Sequence, residues 1–405
     1  MNPSVATPAP TIGERHATRS ALGQRMTSSW LDTSRAATNG VFDYWSSAMR
    51  RRATPFQLGV EALEWMAISA RRDVPQWSTP NVIVVETALA RLRDFTPPEH
   101  AGTDVVPTLV LPPQAGHSSC IVDFSPDQSQ LGAIREAGLV RVFSMDWKGA
   151  TQATKNAGIE DYLAVLETAV EHLGGRVNLI GDCQGGWLAV IYAALHPEQI
   201  NTLTIAGAPI DYHCGEPLLH DWVKGLSPNG GTDFYRRVVA SGGGVLKGKY
   251  MLSGFKSLKP DQEIARQAQL LANVRDPRHV ARFRAFETWF QYTQDIPGAF
   301  YLWIVEHLFT NNELIRGELV IGGRRVDLAA ITAPLFLLGG ATDHITPPDQ
   351  VFALAEHAST PPEQIVRRST TGGHLGLFMG HEALTEHWPP LLAGVHAHSV
   401  AHSVA

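Results

Sequence analysis

The 405-residue chain has little cysteine, little net charge and no long apolar run. Cysteine occurs three times, at Cys120, Cys183 and Cys214. That is too few for a disulfide framework, and the odd count leaves one thiol unpaired. Lysine and arginine number 33 against 39 aspartates and glutamates, a net charge of −6. The chain therefore lacks the basic field that a phosphate backbone requires, and nucleic acid is not expected as a partner. No stretch approaches the roughly 18 apolar residues of a membrane span. What is present, 44% hydrophobic and 18% charged residues, is an ordinary globular composition. A cytoplasmic enzyme with one cysteine free for chemistry is the default that remains.

Residues 1–40, rich in Ala, Thr, Ser and Pro, read as a disordered lead without the apolar core of a secretory signal; a mitochondrial-type presequence is the alternative. Residues 41–76 read as a helical segment with Phe42, Trp45, Met49, Phe56, Leu63, Trp65 and Met66. At helical spacing such a stripe predicts packing on the main body, and a surface for a granule or partner subunit is the other reading. Residues 396–405 repeat His-Ser-Val-Ala and read as a solvated tail rather than a metal site, and no metal is expected elsewhere.

Between these ends, strands and helices alternate. Asn81–Glu86 and Leu89–Phe95 form a predicted hairpin, followed by strands at Pro107–Leu111, Val140–Met145, Val177–Ile180 and Thr202–Ala206. Helices are predicted at Leu131–Ala137, Ile159–His172 and Trp187–Leu195. Such alternation implies a mostly parallel, doubly covered sheet, with residues 77–211 as its first part. Residues 212–330 interrupt it as a helical cap inserted over the active face, with aromatic helices at Phe283–Tyr292 and Phe300–Phe309. The run Ser241-Gly242-Gly243-Gly244 reads as a mobile hinge in that cap. Residues 331–395 resume the sheet with strands Leu335–Leu338 and Ile365–Arg368, and helices Gln350–Glu356 and Glu382–Leu392.

The chemistry centres on Gly181-Asp182-Cys183-Gln184-Gly185-Gly186, between a strand and a helix. This is the nucleophile-elbow arrangement of the α/β-hydrolase fold with sulfur in place of hydroxyl. Gly181 and Gly185 give the clearance so tight a turn needs, and Gly186 lets the helix approach. The helix N-terminus stabilises negative charge on sulfur and on a tetrahedral oxyanion. That scaffold expects an acid and then a histidine after later strands. Asp343 and His374 stand in those places, so His374 is expected to take the thiol proton and Asp343 to orient it. A plain Asp-His loop with a capping histidine is the competing reading, and the order of all three members speaks against it. The oxyanion hole is expected from the backbone N–H of Gln184 and one from the loop after Pro107–Leu111, at Gln114 or Ala115. His344 and His117 are candidates for accessory roles. Cys120 and Cys214 lack glycine neighbours and read as inert buried thiols.

Sulfur also narrows the reaction. A cysteine attacking a thioester makes another thioester of similar energy, so the acyl group stays activated for transfer to a hydroxyl, whereas an oxyester would fall downhill.

These residues resemble the polyhydroxyalkanoate synthase family, over about Val106 to Leu392. The resemblance is carried by Val177–Gly186, Tyr192–Pro197, Asp123-Phe124-Ser125-Pro126, Asn311-Asn312-Glu313-Leu314, Gly322–Leu328, Asp343–Pro348 and Gly372-Gly373-His374. It implies Cys183 as nucleophile, Asp343 as orienting acid, His374 as general base and (R)-3-hydroxyacyl-CoA thioesters as substrates. Coenzyme A would be part of the substrate or an acceptor, not a bound cofactor. A partner subunit or homodimer, and a granule surface, follow from the same resemblance. The stretches Gln114–Ser119, Gly207–Asp211 and His374–Gly380 are similar to intracellular polyhydroxybutyrate depolymerases. That alternative would run the same residues towards hydrolysis or thiolysis of polymer esters. Cap residues such as Trp289, Phe290 and Trp303 would shape the acyl pocket.

Overall fold

The structure, a computed structural model, describes residues 35, 37–70, 73–215, 231–258 and 260–400. Eight strands make the main sheet: β1 (Val82–Glu86), β2 (Ala90–Asp94), β3 (Thr108–Leu111), β4 (Val142–Trp147), β5 (Val177–Asp182), β6 (Ile200–Ala206), β7 (Leu335–Gly340) and β8 (Ile365–Thr370). Their spatial order is β1-β2-β4-β3-β5-β6-β7-β8. Only β2 runs antiparallel to its neighbours, and β3 to β8 pair in parallel. This is the α/β-hydrolase fold.

Every residue of β3, β4, β5, β6 and β7 is buried, so helices cover both faces. Val177–Asp182 and Ile200–Ala206 extend beyond their predicted limits through residues that are not all apolar, since burial on both faces takes in Asn178, Asp182, Asn201, Thr202 and Thr204 as well. Flanking helices include Gln130–Glu136, Ile159–His172, Gln184–Leu195 and Trp388–Val400. Tyr162, on the second of these, packs against Trp147 and Phe300, and Trp187 on the third packs against Phe300 and Trp303.

Two expectations about the ends change. The helix Trp388–Val400 continues through half of the predicted tail. Ser399 is buried and receives the Asn178 side-chain amide at 2.8 Å, while Asn201 donates to the His398 carbonyl at 3.3 Å. The polar end of β5 and β6 thus gives this weakly apolar sequence its partners; 401–405 lie outside the described residues. At the other end, helix begins before the predicted limit, with 37–40 already helical. The rest of the predicted lead lies outside the described residues.

The chain divides into two compact units, one of 1–72 with 253–288, the other of 73–252 with 289–405. The predicted cap is therefore not one body, because its central helices cluster with the N-terminal segment. In the first unit Glu61 is the anchor. It is 1% exposed and takes Arg51 at 2.7 Å, Arg275 at 2.6 Å and the Tyr44 hydroxyl at 3.1 Å. The predicted aromatic stripe is not core: Phe42, Trp45, Met49, Phe56, Leu63 and Met66 are exposed. The helices bury the opposite stripe, with Tyr44, Ala48, Glu61 and Ile68.

In the second unit, Trp289 Nε1 donates to the Ser118 carbonyl at 2.9 Å and Ala150 N to the Asp295 carbonyl at 2.7 Å. The glycine run expected as a hinge is a packed turn: Gly243 and Gly244 have φ of 73° and 94°, and a Cβ on Gly242 would overlap the Val245 carbonyl.

Candidate active site

β5 ends at Asp182, and the helix Gln184–Leu195 starts two residues later, leaving Cys183 alone in the turn. Its φ of 50° and ψ of −119° lie where an L-residue is strained, a conformation held by packing on every side. Cys183 N donates to the Ala206 carbonyl at 2.9 Å. A Cβ on Gly181 would strike Gly186, one on Gly185 would overlap the Leu111 carbonyl, and one on Gly186 would overlap Ala208. The three glycines that frame the motif are thus each required by a contact.

Pairing of Asp182 with Ala206 and of Gly340 with Thr370 puts the exits of β5, β6, β7 and β8 at one edge of the sheet. Asp343 and His374 lie in the loops after β7 and β8. His374 Nδ1 is 2.7 Å from Asp343 Oδ2, and Asp343 Oδ1 accepts the N–H groups of Ile345 and Thr346, both at 2.9 Å. The Cys183 side chain lies near enough to the imidazole to favour its protonated form. Phe378 meets the ring edge-on, and the backbone of Gly207 lies close to it. Burial alone would disfavour the imidazolium. The Asp343 carboxylate and the Cys183 sulfur outweigh burial and hold the His374 pKa well above the ordinary histidine value. The structure therefore brings His374 against Asp343, with the Cys183 side chain beside the same ring.

The remaining predicted residues divide. Gln184 opens the helix, with its N–H at the positive end of the dipole. In the loop after β3, Pro112 and Pro113 have no N–H, so Gln114 carries the first one available. Its side-chain amide donates to the Tyr162 hydroxyl at 2.5 Å, and Ala115 is buried next to it. His117 is held away from Cys183 and His374, with Nδ1 3.3 Å from the Ala115 carbonyl and Nε2 3.1 Å from the Phe290 carbonyl. Its ring stacks between Trp289 and Phe290, and burial pushes its pKa down to about 4. A neutral ring carries one N–H, so only one of those carbonyls is hydrogen-bonded. His117 is a packing residue. His344 is half-buried beside Asp343. Cys120 is buried, accepts a hydrogen bond from Ser118 and is pushed up to about 11 by burial. Cys214 is only half-buried, and burial with Asp211 and Asp349 nearby raises it to about 12.

Two neighbours of the site had no clear sequence signal. Tyr212 is buried near Cys183, and burial in the first place holds its hydroxyl pKa well above the ordinary tyrosine value. Asn312, with φ of 52°, fixes it by accepting from Tyr212 N at 3.0 Å and donating to Asp211 at 2.8 Å. Asp182 is the other, and its only sequence mark is an acid closing an apolar strand. Asp123, within a quoted motif, is a buried anchor taking Thr79 N, Thr79 Oγ1 and Ser129 Oγ at 2.7–2.9 Å. Among the described residues no group of His, Cys, Asp or Glu is placed to hold a metal ion, and no helix is long and apolar enough to cross a membrane.

The fold is that of the α/β hydrolases, with a cysteine at the turn between β5 and the following helix. The chain belongs to the family described as "Protein of unknown function (DUF3141)", whose model matches residues 84–385. It is similar to the poly(3-hydroxyalkanoate) polymerase subunit PhaC of Allochromatium vinosum, at 28% identity over 281 residues, covering 67% of this chain and 75% of that subunit. The subunits of the same name from Haloferax mediterranei and Haloarcula marismortui are 25% and 26% identical, covering 78% and 84% of this chain and 64% and 71% of theirs. Among solved structures, a hydrolase from Pseudomonas aeruginosa PA01 superposes with a TM-score of 0.46 at 17% identity, covering 80% of this chain and 98% of that one. Paleococcus ferrophilus monoacylglycerol lipase gives 0.44 at 17%, covering 76% and 100%.

Proposed function

We propose that the chain is a cysteine-dependent acyltransferase of the polyhydroxyalkanoate synthase type, acting on (R)-3-hydroxyacyl-CoA thioesters. The observation that carries this reading is a thiol, not a hydroxyl, on a strained elbow close to His374, which Asp343 holds. The names of the curated relatives support it. Sγ of Cys183 attacks the thioester carbonyl as its proton rests on His374, and the oxyanion faces the N–H of Gln184 with that of Gln114 or Ala115. Collapse of the adduct breaks the bond to the coenzyme A sulfur, which leaves with the proton from His374. The acyl group is then a thioester on Cys183, with little energy lost. A hydroxyl acceptor gives its proton to His374, attacks that carbonyl and frees the thiolate. Coenzyme A enters as part of the substrate, and a partner subunit, a second copy or a granule surface belongs to the same reading.

The test is coenzyme A release from 3-hydroxybutyryl-CoA, with mass spectrometry for an acyl adduct on Cys183. No release, with or without a partner subunit, overturns the proposal. Release of soluble 3-hydroxy acid or 3-hydroxyacyl-CoA from amorphous polymer, without coenzyme A release in the first assay, would assign the depolymerase direction.

A further inference from the structure

Asp182 has no part in the mechanism just proposed, yet it adjoins the nucleophile. It is fully buried and has one hydrogen bond, from Gln130 Nε2 to its Oδ1 at 3.2 Å. Its Oδ2 has no partner, and neither has Oε1 of Gln130, which is equally buried. Two orphaned acceptors on a pair of touching side chains cost stability that nothing nearby returns. One proton removes the conflict. A protonated Oδ2 is a donor, and Gln130 Oε1 is an acceptor in need of one. Burial acts in the same sense, pushing the Asp182 carboxyl up to about 8 against the Gln130 bond and the charge of His374. Glu61, Glu86 and Glu382, which have cationic or hydrogen-bonding partners, are displaced the other way.

We propose that Asp182 is a positioning residue kept as a neutral acid, paired through its proton with Gln130, so that Asp343 is the carboxylate that sets the charge of His374. The functional part rests on the reading of His374 as general base. Of the groups facing Asp182, His374 is the titratable one, Gln130 is neutral, and Cys183 is its neighbour in the chain. Ionisation would send the Oδ2 proton to solvent and leave a second negative charge near His374. That charge would hold on the imidazole the proton that the leaving thiolate must receive.

Asp182→Asn keeps the shape and cannot titrate, and two measurements on it need no substrate. A carboxyl raised in the folded state binds a proton that the unfolded chain has already lost, so stability falls as pH rises between about 4 and about 8. The melting temperature of D182N minus that of the wild type should therefore grow across that window and level off above it. A difference that stays flat means an ionised carboxylate and overturns the proposal. Second, a neutral Asp182 adds no charge beside His374, so protonation of the His374 ring, followed by NMR below about pH 8, should be the same in D182N as in the wild type. A ring that loses its proton at lower pH in D182N means that the wild-type carboxyl is ionised, and overturns the proposal. If D182N does not fold, infrared spectra of the wild type decide: the carbonyl stretch of a buried protonated carboxyl should be present near pH 6 and lost by about pH 10, and its absence at the lower pH sinks the idea. Failure of the acyltransferase reading would leave both D182N results standing.

Discussion

A cysteine with φ of 50° stores strain that a glycine would not. Cys183→Gly should therefore gain up to about 1 kcal/mol in urea unfolding while abolishing thioester chemistry, whereas Cys183→Ala loses the chemistry without the gain. Cys183→Ser separates two reactions: it should cripple acyl transfer more than ester hydrolysis, and equal losses would contradict the case for sulfur. On the acyltransferase reading, Asp343→Asn removes the carboxylate held against His374 and should lower coenzyme A release by about ten-thousandfold, measured as kcat. The places of Cys183, Asp343 and His374 in the fold were legible in the sequence because each has a local mark, either flanking glycines or a strand running into a polar loop. Asp182 was not, since its character depends on Gln130, 52 residues earlier in the chain, and on complete burial. His117 stays open in the sequence between an accessory role and the commoner structural one, for the converse reason. Nothing local distinguishes a histidine stacked between Trp289 and Phe290 from one that faces a reacting atom.

At the scale of an element, β5 is held at both ends. Asn178 near its start donates to Ser399 and receives Asn201 and Thr202, and Asp182 at its finish meets Gln130. Ser399→Ala should cost at most about 1 kcal/mol in chemical denaturation, because the Asn178 amide loses its shortest bond but keeps the Val106 carbonyl at 3.1 Å and Thr108 Oγ1 at 3.3 Å. A larger loss would mean that those two acceptors do not replace the hydroxyl. The helix bearing Ser399 was read as a frayed tail because its His-Ser-Val-Ala repeat is weakly apolar. Its helical spacing, with Val395 and Ser399 both buried, becomes visible only once β5 and β6 supply polar partners.

For the whole molecule, the division into two units was hidden from a linear reading, because one unit is assembled from stretches nearly two hundred residues apart. Glu61 draws Arg51 and Arg275 together from those stretches. Its carboxyl is held below the ordinary range, chiefly by the Arg51 hydrogen bond. A depressed carboxylate stabilises above its unfolded pKa and stops doing so as pH falls through its folded one. Glu61→Gln should therefore lower the melting temperature at neutral pH, with the gap closing in acid. Both arginines are partly exposed to solvent, which limits the loss to roughly 1–2 kcal/mol.

The place where Gly185 touches the Leu111 carbonyl fixes something further. The loop that offers Gln114 and the helix that follows Cys183 abut backbone to backbone, with no side chain between them to act as a cushion. Two parts that meet in this way share their errors. A displacement of β3 reaches the sulfur at nearly full size, and one at the elbow is returned to the loop. The aim of the site is therefore set partly at this joint, and changes far along β3 should register at the thiol before they register in the stability of the fold.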